Sequence, residues 1–339
     1  FSAGDQLFAP RNGCIRFSGT LAEWETWLRF EMTRNAPDVI VLFGSSRPAH
    51  EVARHLANEF GVDVVSLEEG YLRSGYVSCE VGGNNQHSPL SRWTFREPAS
   101  AVSDAPPAVA GLRLPFVTMT ALAAIHYVMR DLFSKETDDP LFHRPRERVV
   151  PLAWKWAGHM LRRIVARLSE FPTRLRLHRN PGYLLVPLQV ASDSQLTNAS
   201  RGWTTTTLID ACLEAVSASG CNQRLIFKLH PLECDSKAIK RLIRIKMMQH
   251  GVARRHVAIL HSGRMSDLTR HSSGMIVINS TSAFSALHHN VPVLVLGDAV
   301  FRHKEIVTLG DFRGDIAAFF KLRHPKSQKL VSAFLADLK

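Results

Sequence analysis

MIVINSTSAFSALHHNVPVLVL (Met275–Leu296) joins an apolar run, a polar hinge, a helically spaced stretch and a second apolar run. Met275–Asn279 is bulky and almost uninterrupted, which predicts a strand buried on both faces. Phe284, Leu287 and His288 then recur at helical spacing within Ser282–His289. Val291–Leu296 is the next strand. A strand, a helix and a strand in so short a span is the repeating unit of a parallel sheet.

Upstream the alternation continues through strand Tyr183–Val190, helix Thr205–Ser219, strand Leu225–Leu229, helix Ser236–Gln249, strand Val257–Leu260 and helix Met265–His271. It predicts a doubly wound α/β domain. In the first half, VIVLFG (Val39–Gly44) reads as a buried strand and Ser45–Pro48 as a turn with Pro at the first helical position. Val52, Leu56 and Phe60 form a helical stripe closed by Gly61, and Val62–Leu67 is the following strand. This is a β-α-β crossover in a second parallel sheet. Thr118–Leu132 reads as a helix. The expected organisation is an N-terminal α/β domain over 1–117, a helical basic segment over 118–180, a C-terminal α/β domain over 181–310 and a helical tail over 311–339. Two such domains joined by a helical segment predict a cleft between them.

The 339 residues are 45% apolar, enough for two packed domains, and the net charge is +12. Leu141–Asn180 holds ten Lys/Arg against two acids. Trp154 and Trp156 lie there beside Leu152, Met160, Leu161, Ile164, Val165 and Leu168, an apolar stripe with a basic opposite face. The pattern fits a helix at an anionic lipid surface, and equally a linker helix with a solvated basic side. No helix-turn-helix, zinc finger or RNP-like strand supports nucleic-acid binding. Five cysteines without a C-x-x-C pair argue against a zinc ribbon or disulfide framework and fit a reducing cytosol. No apolar run approaches the roughly 20 residues of a membrane span. G-x-G-x-x-G and P-loop patterns are absent, and His50-Glu51 with His55 misses the spacing of a zinc helix. Nothing demands a metal.

Open parallel sheets collect ligands beyond the carboxyl ends of their strands. The exits here are Gly44–Arg47, Glu68–Tyr71, Gln189–Gln195, Lys228–Pro231, His261–Gly263 and Asn279–Ser282, all polar. Asn279-Ser280-Thr281-Ser282 enters a helix and suits a phosphate, or is an ordinary N-cap. Lys228 and His230 fall on one side of their strand end, because side chains alternate. Asp193, between Ser192 and Ser194 and followed by Gln195, reads as a turn former, a cap or a reactive group.

In this order along the chain, Glu68-Glu69-Gly70-Tyr71-Leu72-Arg73, Gly82-Gly83-Asn84-Asn85, Leu188-Gln189-Val190…Asp193-Ser194-Gln195, Lys228-x-His230-Pro231 and Ile278-Asn279-Ser280-Thr281 resemble the bacterial capsule polysaccharide biosynthesis and export family of the KpsS/LipB type. Relative to that family the N-terminal domain is expected to lack its first β-α unit. The resemblance implies a GT-B-like pair of Rossmann-type domains facing a cleft and a retaining β-Kdo transferase. Its donor would be CMP-Kdo, with no metal, and its acceptor a lyso-phosphatidylglycerol-type phospholipid at an anionic membrane surface. It implies a peripheral location on the cytoplasmic face of the inner membrane, beside the capsule assembly and export machinery. Asp193 is implied as catalytic, with Glu68 and Glu69 on the acceptor side. Lys228, His230, Pro231, Asn279, Ser280 and Thr281 are implied to bind CMP, and Gln189, Gln195, Arg73, Asn84 and Asn85 to contact substrate. A non-catalytic export scaffold and a UDP-sugar enzyme are the competing readings.

Overall fold

A computed structural model describes residues 3–8, 13, 15, 17–44, 47–71, 77–95, 116–133, 141, 149–190, 199–220, 223–231, 233 and 235–338. The chain forms two compact units, Phe1–Asn84 with Glu97–Lys155, and Asn85–Arg96 with Trp156–Lys339.

In the first unit, α1 (Leu21–Asn35) starts at a capping box. The Thr20 hydroxyl accepts from the Glu23 N–H, and the Glu23 carboxylate accepts from the Thr20 N–H. β1 (Val39–Phe43) leads into α2 (Pro48–Phe60), which has Pro in its first turn and ends at Gly61 in the left-handed conformation, φ 68°. β2 (Asp63–Glu69) runs parallel to β1, from Val39 opposite Asp63 to Phe43 opposite Leu67. β3 (Val77–Val81) returns antiparallel to β2, and α3 (Phe116–Phe133) completes the unit. α1 and α2 bury Met32, Ala53, Leu56 and Ala57 against Leu42 and Val64.

Two expectations change here. β1 is not buried on both faces: Ile40 and Leu42 turn toward the helices, while Val39, Val41 and Phe43 are exposed on the other face. Among the described residues the unit has three strands, one of them antiparallel, and not a doubly wound sheet.

Among its described residues the second unit has six parallel strands: β4 (Tyr183–Pro187), β5 (Leu225–Lys228), β6 (Val257–Leu260), β7 (Ser272–Val277), β8 (Val293–Val295) and β9 (Thr308–Leu309). Their order is β6-β5-β4-β7-β8-β9. The chain starts at a central strand, steps out to β6, crosses back past β4 and winds the other way, which is the Rossmann strand order. The helices are α4 (Val149–Ser169), which enters this unit at Trp156, α5 (Phe171–Arg179), α6 (Thr205–Ala218), α7 (Ser236–Gln249), α8 (Met265–Arg270), α9 (Ala283–His288), α10 (Arg313–Lys321) and α11 (Gln328–Asp337). β4 is buried throughout, and Leu184, Phe227, Ile276 and Leu294 pack with Leu208, Ile243 and Phe319 from the helices.

The expected tail over 311–339 is part of this core, since Ile316, Phe319 and Phe320 of α10 are buried in it. Residues 85–96, expected in the N-terminal domain, also belong here. The Trp93 indole N–H donates to Asp337 at 2.6 Å, and its ring packs edge-on against Phe334 of α11. An aromatic anchor with a satisfied polar tip fixes the segment to α11.

Candidate functional site

The order of the six-stranded sheet reverses between β4 and β7, so its ligand crevice lies beyond the carboxyl ends of those strands. Gln189 and Asn279 follow these two strands, and Gln189 Nε2 donates to Asn279 Oδ1 at 2.9 Å. Asn279 Nδ2 donates to the Ala199 carbonyl at 3.1 Å, which also accepts from the Asp298 N–H at 2.7 Å. The exits of β4, β7 and β8 are therefore tied together. Gly297 makes this approach possible, because a Cβ there would lie 2.6 Å from the Ala199 oxygen. Asp193, Ser194 and Gln195 fall in 191–198, and Arg73 in 72–76, outside the described residues. Val190 and Ala199, which bound the first of these segments, adjoin the switch point.

Next to Asn279, the Ser280 hydroxyl donates to the Ser282 hydroxyl at 3.2 Å and accepts from the Ser282 N–H at 3.3 Å. Ser280 and Thr281 are half-buried at the entry of α9, and Ser282, the residue before α9, makes no side-chain cap bond. Ser280, which accepts from the Ser282 N–H, thus takes the capping role at this turn, and Ser282 does not.

Lys228 ends β5 and is 4% exposed. Its Nζ donates to the carbonyls of Leu229 at 3.0 Å and His261 at 3.1 Å. This corrects the expectation that Lys228 and His230 present themselves side by side to a phosphate. The crowded exits of β5 and β6 turn the ammonium inward, and His230 is the more accessible of the two. Burial pushes the Lys228 pKa down from 10.5 to about 8, opposed by the Glu170 charge. Between those values the unfolded chain holds a proton that the folded protein has shed. Stability is therefore expected to rise with pH from about 8 to about 10.5 and to fall as pH drops through 8. Urea denaturation of wild type and Lys228→Met across this range checks it, and a difference between the two that does not vary with pH would refute it.

Two further groups hold these exits from outside the sheet. His159 of α4 is fully buried and its Nε2–H donates to the Pro231 carbonyl at 2.8 Å. The carboxylate of Glu170, between α4 and α5, accepts from the His261 N–H at 2.9 Å, the Ser262 N–H at 2.8 Å and the Ser262 hydroxyl at 2.7 Å. Lys240 of α7 lies 3.4 Å from the same carboxylate. His261 is buried, its ring 5.7 Å from that of His159, and burial followed by the Lys228 charge lowers its pKa to about 4. Burial likewise lowers the pKa of His159. The donation to Pro231 places a proton on His159 Nε2. Sequence reading did not single out His159 or Glu170. The available signal was an acid at a helix break, Ser169-Glu170-Phe171-Pro172, inside a strongly basic run.

In the first unit, Glu68 and Glu69 point to opposite faces of β2, because side chains alternate. Glu68 shares the face of Ser66, Ser78 and Glu80, on which Asn84 is fully buried. The Asn84 amide donates to the Ser66 carbonyl at 3.2 Å, Ser78 Oγ at 3.2 Å and Glu80 Oε2 at 3.1 Å, and the Tyr71 hydroxyl donates to the same Glu80 oxygen at 2.7 Å. The Asn84 amide N–H group is therefore a strut under the acidic motif. Asn85 takes φ 56°, a left-handed turn that asparagine tolerates.

An open pocket of about 350 Å³ lies beyond β8, lined by His87, Ser91, Asp298, Ala299 and Arg302. The Arg302 guanidinium donates to the Val295 and Gly297 carbonyls and to Asp311, fixing the pocket wall. None of these residues stood out in the sequence, since the pocket joins segments more than two hundred positions apart.

Fold and site together define an α/β protein whose second unit is doubly wound, with strand exits tied together across its switch point. The chain belongs to the capsule polysaccharide biosynthesis protein family, whose pattern matches residues 38–338. It is 28% identical to the capsule polysaccharide export protein KpsS of Escherichia coli over 341 residues, covering 95% of this chain and 85% of that one. It is also 28% identical to the capsule polysaccharide modification protein LipB of Neisseria meningitidis serogroup B over 353 residues, covering 98% and 80%. Among solved structures it is similar to the β-Kdo 2,7 transferase of Thermosulfurimonas dismutans KpsC, with a TM-score of 0.44 at 14% identity over 91% of this chain and 79% of that one. The UDP-GlcNAc 2-epimerase of Methanocaldococcus jannaschii, solved with UDP-GlcNAc and UDP, gives 0.33 at 13% over 98% and 86%. No helix among the described residues is long and apolar enough to cross a membrane.

Proposed function

We propose that the protein is a GT-B-like glycosyltransferase of capsule polysaccharide biosynthesis that moves Kdo from CMP-Kdo, with retention, to a lyso-phosphatidylglycerol-type phospholipid. The observation that carries the reading is the Gln189–Asn279 hydrogen bond at the switch point. It joins the motif that leads to Asp193 with the one that holds Ser280 and Thr281, so a reactive carboxylate and a phosphate site would share one edge. In the first displacement the Asp193 carboxylate attacks the anomeric carbon, and the CMP phosphate leaves with the bonding electron pair. His230 and the hydroxyls of Ser280 and Thr281 receive that phosphate, while Lys228 acts from behind by fixing the Leu229 and His261 carbonyls. In the second displacement the acceptor hydroxyl attacks the same carbon, releases Asp193 and gives its proton to Glu68 or Glu69. The alternation along β2 means that only one of the two serves. No metal enters the scheme, since CMP leaves with a single phosphate.

Incubation with CMP-Kdo and lyso-phosphatidylglycerol, with CMP and UDP as competitors, tests the reading. Product formation inhibited by CMP supports it. Inhibition by UDP alone would move the donor to the UDP-sugars. No product and no CMP binding would favour a non-catalytic export role, toward which the inward-turned Lys228 already leans.

A further inference from the structure

α4 is inside out. His159 and Ala166 lie at i and i+7 on one face of it, Glu170 follows at its end, and all three are buried within the second unit. On the opposite face Met160, Leu161, Ile164, Val165 and Leu168, continued by Phe171 of α5, are between 49% and 73% exposed. An ordinary surface helix turns its apolar stripe to the core and its polar residues to water. This one cannot be reversed, because its polar face carries the bonds to Pro231, His261 and Ser262. The apolar stripe is left to meet something else.

We propose that the outer face of Trp156–Arg179 is a docking surface for an anionic lipid bilayer. Six arginines, at 162, 163, 167, 174, 176 and 179, stand in this stretch against a single acid, Glu170, whose carboxylate is already engaged inward. Arg167, Arg176 and Arg179 are exposed at the margins of the stripe. A broad apolar stripe rimmed by arginine lies in the interface plane, with its side chains among the acyl chains and its charges at the headgroups. A second copy of the chain is a poor occupant, since it would bring a like-charged rim against this one. A nucleic acid would use the arginines but leave the apolar stripe in water. The same helix that meets the bilayer would thus carry the struts of the Lys228–Pro231 and His261–Ser262 exits, and hold the sheet edge at a fixed attitude to the surface. The proposal does not rest on the transferase reading, and its test involves no turnover.

The test is co-sedimentation of the full chain with vesicles of phosphatidylcholine alone, or mixed with phosphatidylglycerol or with phosphatidylserine. Binding is expected to both anionic mixtures alike, to be weak on phosphatidylcholine and to fall with added salt. Leu161→Ser/Ile164→Ser/Leu168→Ser and Arg167→Glu/Arg176→Glu/Arg179→Glu should each lower binding about tenfold or more, with denaturation midpoints unchanged. Equal binding to neutral vesicles, a requirement for one anionic headgroup, or unaltered binding by either variant would overturn the proposal. A wild-type dimer that the serine variant dissociates would overturn it too, by assigning the face to self-association.

Discussion

Asp193→Ala is expected to lower transfer from CMP-Kdo by about four orders of magnitude, the scale on which removal of a covalent nucleophile acts. The size of the loss separates the roles that the sequence allowed this residue. A turn former or helix cap replaced by alanine costs about 1 kcal/mol of stability and leaves chemistry nearly intact. A nucleophile replaced by alanine leaves the fold and the CMP site in place and removes the first displacement. The measurement is product formed under saturating donor, alongside CMP affinity by calorimetry. An unchanged CMP affinity with lost transfer assigns Asp193 to the reaction. Mass spectrometry supplies an independent reading: without acceptor, wild-type protein should gain one Kdo residue on the peptide containing Asp193. Transfer that survives in Asp193→Ala, or a Kdo adduct elsewhere, would reject the assignment.

The second unit was legible because its central strands are buried on both faces, and so read as continuous apolar runs between helical stripes. β7 was displaced, since Ile278 extends the apolar run beyond Val277 while the chain has already left the sheet, and the polar Ser272 and Ser273 hide its start. β9, at two residues, is too short to leave a pattern. β1 misled for the opposite reason. Its alternate residues are all apolar, so period two was hidden, yet only Ile40 and Leu42 face helices. At the site, motif order located the strand exits, because those positions are local in sequence. What it could not supply was direction. Lys228 and His230 look equivalent as a Lys-x-His pair, and only the packing of β6 beside β5 turns the lysine inward. Nor could motif order show that the Asn84 amide N–H group is spent on three acceptors of β2 and β3. His159, Glu170 and the His87–Arg302 pocket are products of long-range packing, to which no local pattern corresponds.

Glu170→Ala is expected to destabilise the second unit by about 3 kcal/mol or more, the cost of leaving buried charged or polar partners uncompensated. Glu170 is 9% exposed, and its carboxylate answers the His261 N–H, the Ser262 N–H, the Ser262 hydroxyl and the Lys240 ammonium. Alanine would strand two backbone donors at the end of β6, where no other described acceptor serves them, and would leave Lys240 without its partner. Glu170→Gln keeps one acceptor oxygen at the backbone donors and loses the charge, so its cost should be distinctly smaller. Urea denaturation of both variants gives the two values, and hydrogen exchange at the His261 and Ser262 amides locates the damage. Exchange should quicken there, and hardly at all in β1–β3, which lie in the other unit. If Glu170→Ala stays within about 0.5 kcal/mol of wild type, the carboxylate is a passive occupant of the α4–α5 turn. If it destabilises as expected, one acid in a basic helical segment is what clamps that segment to the edge of the sheet. The outward apolar face of α4 then follows as the consequence, because the clamp fixes which side of the helix can turn inward.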